Sequence, residues 1–212
     1  MNLLWIKRRC YFTICATLFI CVAEADKKRL KILVNSPTVG WSHMQFQSRI
    51  ADALVEAGHE VHLLVYHMNP LVECCDKLKS RAQKIIHMER HESAKDAMMK
   101  LNVLKDSFSG KTNMIVEGSM TQWSYMLRDT CKDMLSNKNI LDELKAERYD
   151  VAISEFYEVC IFGIFRQVGI KTKLASMAIT LENWAGSPFG IYGVSSYVTN
   201  YLKISLFKNQ IF

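Results

Sequence analysis

Residues 31–58, KILVNSPTVGWSHMQFQSRIADALVEAG, decide the fold of this chain. The stretch opens within a short apolar run, Leu30–Val34, of the kind that is buried on both faces of a parallel sheet, and Pro37 ends that run. A helical pattern follows, and Gly58 is its expected C-terminal cap. The apolar stripe of this helix consists of Phe46, Ile50, Ala53, Leu54 and Ala57. A second strand, Glu60–Tyr66, completes a β-α-β unit.

The loop between the first strand and its helix holds the first candidate site residues. Open α/β sheets bind their ligands at the carboxyl ends of the strands, which places Ser42 and His43 in the crevice. A later run, Tyr149–Glu155, is typical of a central strand and ends on the carboxylate of Glu155. The sequence therefore predicts that an imidazole and a carboxylate converge over the sheet.

Such a pair has a definite chemistry. A carboxylate that accepts a hydrogen bond from one ring nitrogen fixes the tautomer and raises the basicity of the other nitrogen, which can then take a proton from a substrate hydroxyl. From spacing alone, the alternative for His43 is a solvated or capping histidine. His59 and His62, at a helix end and in a strand, are predicted to have structural roles.

The rest of the chain continues the α/β pattern. Three helices in a row after the β-α-β unit predict an inserted helical segment over the crevice rather than a second domain. The last predicted strand also ends at the crevice, on Ser176. The further predicted elements are a strand at 84–87, helices at 93–108, 112–135 and 137–144, a helix at 160–168 and a strand at 171–176.

The first 25 residues have the pattern of a secretory signal. Lys7–Arg9 is basic, Tyr11–Val22 is apolar, and Ala23–Ala25 fits a cleavage site. The alternative is an uncleaved membrane anchor, which is disfavoured because the apolar run is shorter than the ~20 residues that a span requires. We therefore expect a product that enters the secretory pathway, in the lumen or membrane of the endoplasmic reticulum.

Composition excludes several classes of function. Lys and Arg number 27 against 21 Asp and Glu, a formal net charge of +6, and this scattered excess argues against a nucleic-acid partner. The single glycine at Gly40 does not meet the G-x-G-x-x-G pattern of a dinucleotide site. The tract His87–His91 is predicted to be a solvated turn rather than a metal site.

Four cysteines follow the signal segment, and none of them has C-x-x-C metal spacing. Some could pair in an oxidising lumen, but the sequence does not define their connectivity. Cys160 has the pattern of a buried apolar residue. The four are Cys74, Cys75, Cys131 and Cys160.

Several of these segments resemble the UDP-glucuronosyltransferases, a branch of the UDP-glycosyltransferases, of animal and nematode-like type. Lys31–Val34, Gly40–His43 and Ala53–Val61 are similar to the start of that family. Later segments follow its order and spacing, so the resemblance covers nearly the whole chain. They are Cys131–Lys138, Arg148–Val151, Glu155–Cys160, Ser187-Pro188 and Ser195–Val198.

The resemblance implies a Rossmann-like parallel sheet at 26–212, the N-terminal, acceptor-binding half of a GT-B glycosyltransferase. His43 falls on the family's general base, and Glu155 falls on the residue that orients it, an Asp in many members. We expect the C-terminal half that binds the UDP-sugar to be absent from these 212 residues. The expected acceptor contacts are Gly40, Trp41, Ser42 and Ser176.

The function implied by the resemblance is transfer of glucuronic acid or glucose from a UDP-sugar to a small apolar acceptor that bears a hydroxyl. The UDP-sugar is then a co-substrate bound mainly by the other half, with no resident cofactor or metal, and the isolated chain is expected to be inactive. Dimerisation with family members is left open. The alternative is a non-catalytic lumenal module, or a truncated isoform, that binds small apolar molecules or a full-length relative.

Overall fold

The computed structural model describes residues 28–69, 72, 78–90, 120–179 and 190. Its elements in chain order are β1 (Lys31–Pro37), α1 (Trp41–Glu56), β2 (Glu60–Tyr66), β3 (Lys84–Met88), α2 (Met120–Ser136), α3 (Lys138–Ala146), β4 (Val151–Glu155), α4 (Cys160–Gln167) and β5 (Thr172–Ser176). The strands form one parallel sheet in the order β3-β2-β1-β4-β5. The predicted Rossmann-like parallel α/β fold is confirmed.

Some predictions lie outside the described residues: the signal segment at 1–25, the helix at 93–108 and the segments at 187–188 and 195–198. The described part of the predicted insertion consists of α2 and α3, which agree with two of its three helices. No helix in the described part of the chain is both long enough and apolar enough to cross a membrane.

The central strand β1 has a neighbour on each side. Val34 pairs in register with Leu63 of β2 and with Ile153 of β4. From β1 the chain proceeds outward through β2 to β3, and then returns to the other side of β1 for β4 and β5. The order of the strands therefore reverses between β1 and β4, and this switch point is where open α/β sheets form their binding crevice.

Both faces of β1 are covered. Ile32 and Val34 pack in a cluster with Met44 and Ala51 of α1. Leu33 points to the other face, where side chains from α2, α3 and α4 form the larger cluster that includes Met126, Leu144 and Phe165. Full burial of a Val, Leu, Ile, Phe or Met side chain stabilises a fold by about 1.5–3 kcal/mol. The continuous apolar run of β1 follows from its having no solvent-facing side.

The buried face of α1 differs from the predicted stripe. It consists of Met44, Gln47, Ser48 and Ala51. Ala53 and Ala57 of the predicted stripe are exposed instead. An apolar stripe contains no polar residues, whereas Gln47 and Ser48 can be buried since each hydrogen-bonds to another segment. Ile50 and Leu54 of the predicted stripe are partly buried and pack against the same cluster, so the sheet-facing side of α1 combines apolar and polar side chains.

The predicted glycine cap of α1 is confirmed. Gly58 has a φ of 90°, its N–H donates to the carbonyl of Val55 at 3.0 Å, and the N–H of His59 donates to the carbonyl of Leu54 at 3.1 Å. This pair of bonds is a Schellman motif, which requires the left-handed conformation that glycine adopts at no steric cost. Gly169, also with a φ of 90°, ends α4 in the same way.

A disulfide joins Cys131 of α2 to Cys160, the first residue of α4, with the Cα atoms 5.6 Å apart. The prediction that Cys160 is a buried apolar residue is therefore wrong, since its sulfur is oxidised and the residue is only half-buried. The bond ties α2 to the segment that follows β4. Cys74 and Cys75 lie outside the described residues.

Candidate active site

Two loops meet at the switch point, the one after β1 and the one after β4. Gly40 is the N-cap residue of α1, with extended backbone (φ −163°, ψ 159°), and its carbonyl accepts the N–H of Met44 at 3.2 Å. His43 is the third residue of α1 and so lies in the first turn of the helix. Glu155 is the last residue of β4. The fold thus brings a helix start and a strand end to the same place.

His43 and Glu155 are in direct contact and form a dyad. Nδ1 of His43 lies 2.8 Å from Oε1 and 2.9 Å from Oε2 of Glu155. The glutamate side chain is fully buried, whereas the histidine side chain is 20% exposed. A second donor, the backbone N–H of Ala178, reaches Oε1 at 3.0 Å. A buried carboxylate requires such donors, because an ion without partners would be strongly destabilised away from water.

This contact fixes the state of the imidazole. With Nδ1–H donated to the carboxylate, the lone pair of the neutral ring is on Nε2. The hydrogen bond that His43 donates to Glu155 raises the pKa of His43 above its usual value, although desolvation of the ring opposes the rise. Tyr157 packs edge-on against the ring, with centroids 5.1 Å apart. Among the described residues, no hydrogen bond reaches Nε2, which leaves that nitrogen able to accept a proton.

The predicted acceptor contacts have different surroundings. Trp41 is 38% exposed and Ser42 is exposed, both in the first turn of α1. A Cβ atom added to Gly40 would meet Cδ2 of His43 at 3.5 Å, an ordinary contact. Ser176, at the end of β5, accepts a hydrogen bond from Nε2 of Gln47 at 2.7 Å. Gly40, Trp41 and Ser42 directly precede His43 in sequence, whereas Ser176 is hydrogen-bonded to Gln47 of α1.

Sequence reasoning missed two groups near the dyad, Gln47 and the N–H of Ala178. Gln47 is four residues after His43, and this spacing puts the two side chains on one face of a helix. That spacing was therefore an available signal. No sequence signal indicates the backbone N–H of Ala178, because its role depends on how the chain turns after β5.

The structure also defines the histidines that lie outside the dyad. Nδ1 of His59 accepts the N–H of Leu30 at 3.3 Å, and Nδ1 of buried His62 lies 2.8 Å from the hydroxyl of Tyr149. The predicted structural roles of both are confirmed.

The tract that begins at His87 is not simply a solvated turn. His87 belongs to β3, and its Nδ1 lies 3.2 Å from Nε2 of His67. The predicted strand at 84–87 is confirmed and extends to Met88, so the predicted solvated turn is wrong for its first two residues. His91 lies outside the described residues. Within the part of the chain that the structure describes, no group of three or more metal-ligating side chains could hold an ion.

A model of the family described as UDP-glucoronosyl and UDP-glucosyl transferase matches residues 31–205. The chain belongs to this family. The match covers the whole of the described sheet and both members of the dyad. The resemblance found in the sequence is thus confirmed, and the chain is a member of a family of glycosyltransferases.

Curated relatives in this family are UDP-glucuronosyltransferases. The putative enzyme ugt-48 of Caenorhabditis elegans is 27% identical over 180 residues, covering 80% of this chain and 33% of the relative. The putative enzyme ugt-47 of the same organism is 30% identical over 146 residues, 68% of this chain and 26% of the relative. Human UDP-glucuronosyltransferase 3A2 is 27% identical over 169 residues, which cover 79% of this chain and 31% of the relative. The chain spans about a quarter to a third of the length of these relatives.

Solved structures show weaker similarity. The glycosyltransferase SsfS6 of Streptomyces sp. SF2575 has a TM-score of 0.45 at 15% identity, covering 69% of this chain and 39% of that one. UGT2 of Phytolacca americana, complexed with UDP-2fluoro-glucose and pterostilbene, has a TM-score of 0.42 at 15% identity, with 70% and 30% covered. A hydrogenase domain of Pyrococcus furiosus scores 0.41 at 16% identity, with 68% and 88% covered. Scores this low support no inference about ligands.

Proposed function

We propose that this chain is the acceptor-binding half of a UDP-glycosyltransferase of GT-B type. In this proposal the enzyme transfers glucuronic acid or glucose from a UDP-sugar to the hydroxyl of a small apolar acceptor. The observation that carries the proposal is the contact between His43 and buried Glu155 at the switch point of the sheet. Membership of a family of UDP-sugar transferases supports a role for that contact in sugar transfer.

In the proposed reaction His43 is the general base. The acceptor hydroxyl donates its hydrogen bond to Nε2, and the proton moves to Nε2 as the acceptor oxygen forms a bond to the anomeric carbon of the sugar. The bond from that carbon to the UDP oxygen breaks on the opposite face, so the configuration inverts. Glu155 stabilises the imidazolium that forms, and its fixed position avoids reorganisation during the step.

The neighbouring residues suit an acceptor of this kind. Exposed Trp41 offers an apolar ring face in the same helical turn as His43, and Ser42 offers a hydroxyl. We propose that the UDP-sugar is a co-substrate bound mainly by a C-terminal half of the family type, with no resident cofactor. In the same proposal the protein works in the endoplasmic reticulum.

The test joins this chain to the C-terminal half of a nematode relative and measures sugar transfer to a phenol. Since His43 supplies the base, His43→Ala should lower kcat by roughly 10²–10⁴-fold. The matched control is Ser48→Ala, a buried polar residue of the same helix whose hydroxyl donates to the carbonyl of Lys79 at 3.3 Å; its kcat should stay at that of the parent.

An unchanged kcat in the His43→Ala chimera, with the parent chimera active, would remove His43 from the reaction. Acceptor binding without transfer in every chimera would instead favour the non-catalytic module.

A further inference from the structure

Two side chains of α1, one turn apart, reach two neighbouring strand ends. His43 contacts Glu155 at the end of β4, and Nε2 of Gln47 donates to Oγ of Ser176 at the end of β5 at 2.7 Å. Glu155 and Ser176 are register partners in the parallel pair of β4 and β5. The contact between Gln47 and Ser176 therefore lies directly beside the dyad.

The chain after β5 turns back to the buried carboxylate. The carbonyl of Ser176 accepts the N–H of Phe156 at 3.0 Å. Two residues later, the N–H of Ala178 donates to Oε1 of Glu155 at 3.0 Å. The segment 176–178 thus gives Glu155 its second donor, and Gln47 is the α1 side chain that holds the start of this segment.

Packing alone does not account for Gln47. The residue is fully buried, and its Oε1 has no hydrogen-bond partner in the described structure. A buried acceptor without a partner destabilises the fold, because nothing offsets its loss of contact with water. A methionine has a similar length and would fill the space without that cost. The side-chain amide of Gln47 adds a hydrogen-bond donor with a fixed direction, which a methionine lacks. Gln47 therefore contributes to the position of Ser176 rather than to the stability of the fold.

We propose that Gln47 is a positioning residue for the dyad. By holding Ser176 it keeps the N–H of Ala178 on Oε1 of Glu155, and the carboxylate in turn keeps the imidazole of His43 in the orientation that exposes Nε2 to the acceptor. The proposal rests on the proposed function in one respect, since the orientation matters to rate only if His43 is the base. It also reassigns Ser176 from acceptor contact to support of the site.

The first test measures amide hydrogen exchange at Ala178 in the chain itself. Gln47→Met and Ser176→Ala should each speed exchange by about tenfold or more. Either change removes the contact between α1 and the segment 176–178, so the N–H of Ala178 should separate more often from Oε1 of Glu155. Ser176→Thr keeps the hydroxyl and should retain protection, as should the control Ser48→Ala. Unchanged exchange at Ala178 in Gln47→Met would overturn the proposal without reference to catalysis.

The second test measures kinetics in the active chimera described above. Gln47→Met should lower kcat by about 10- to 100-fold with little change in the KM for the acceptor, the result expected when a catalytic group is misplaced. Ser176→Thr should restore most of the rate that Ser176→Ala loses. The double variant Gln47→Met/Ser176→Ala should be no slower than the slower single variant, because both act through one hydrogen bond.

The two proposals fail in different ways. If His43→Ala is as active as the parent, the proposed function fails, whereas the exchange data still decide whether Gln47 orders the segment at Ala178. If His43→Ala is slow but Gln47→Met turns over like the parent, the base assignment stands and Gln47 is not a positioning residue.

Discussion

The two ends of the sheet use charge in opposite ways. At the amino end, Lys31 contacts Glu147 and lies 3.1 Å from Glu60, while Lys84 lies 2.8 Å from Glu143 and 2.9 Å from Glu147. These side chains are 21–42% exposed, and most have more than one partner. At the carboxyl end, one fully buried carboxylate meets one histidine.

A single change should have its largest effect at the carboxyl end. Ion pairs near solvent contribute little each, and a network with several partners replaces a lost contact with a neighbouring one. A buried carboxylate has no such substitute, and removing its partner leaves an uncompensated charge. Some buried polar atoms of the carboxyl end are also without a hydrogen-bond partner in the described structure, among them Oγ of Ser36 and Oε2 of Glu158. We therefore expect single substitutions to have small effects at the amino end and large effects at the carboxyl end.

Glu155→Ala should produce the largest contrast between the two ends. In the active chimera, kcat should fall by roughly 10²–10⁴-fold, because the imidazolium loses its counter-ion and the ring its orientation. The kcat of Glu155→Gln should fall by less, since an amide oxygen can still accept the hydrogen bond from Nδ1–H of His43. The control at the amino end is Glu147→Gln, for which we expect the kcat of the parent. Equal losses in Glu155→Gln and Glu147→Gln would show that the two ends do not differ in the way proposed.

The disulfide provides the next largest effect. The loop closed by Cys131 and Cys160 has a sequence separation of 29 residues, and loss of a cross-link of this length corresponds to about 3–4 kcal/mol of unfolding free energy. The double variant Cys131→Ser/Cys160→Ser should show this loss in urea denaturation. An unchanged denaturation midpoint in the double variant, with the slope also unchanged, would contradict it.

The strands and the contact between His43 and Glu155 were predictable from the sequence for a physical reason. The apolar runs of β1, β2 and β4 are buried on both faces, so their hydrophobicity alone locates them, and parallel strands with known ends bring His43 and Glu155 to one crevice. Where burial depends on hydrogen bonding, the prediction failed. Gln47 and Ser48 are polar and yet buried, and the partner of Cys160 is set by how α2 packs on α4.

Long-range support of the site was not predictable for the same reason. The donor from Ala178 to Glu155 spans 23 residues and comes from the backbone, which carries no residue-specific pattern. The helix-face spacing of His43 and Gln47 could have indicated a second contact beside the dyad, but not its partner. The position of a side chain at a strand end can therefore be predicted from sequence, whereas the contacts from the loops that orient it cannot.

The smallest expected effect is a contrast in pH dependence between the two ends. Lys31 and Lys84 lower the pKa of Glu147 from 4.5 to about 2. A lowered carboxylate pKa stabilises the fold at pH values above that of the unfolded group, near 4.5, and this stabilisation is lost as pH falls toward 2. Because the network lies near solvent, we expect Glu147→Gln to cost about 1 kcal/mol at pH 7 and much less below pH 3.

The dyad should have the opposite pH dependence. Because Glu155 raises the pKa of His43 above 6.5, the stabilisation from this pair is fully present below pH 6.5 and is lost as pH rises through the folded pKa. The active form of a base is the neutral one, so kcat/KM of the chimera should rise with pH through an apparent pKa above 6.5 while this contribution to stability declines. Denaturation of the chain and of His43→Ala between pH 5 and 9, beside the rate profile, measures both trends. A stability difference that grows with pH would mean that the imidazolium is not the form that Glu155 stabilises, and the assignment of the pair as base and orienting carboxylate would fail with it.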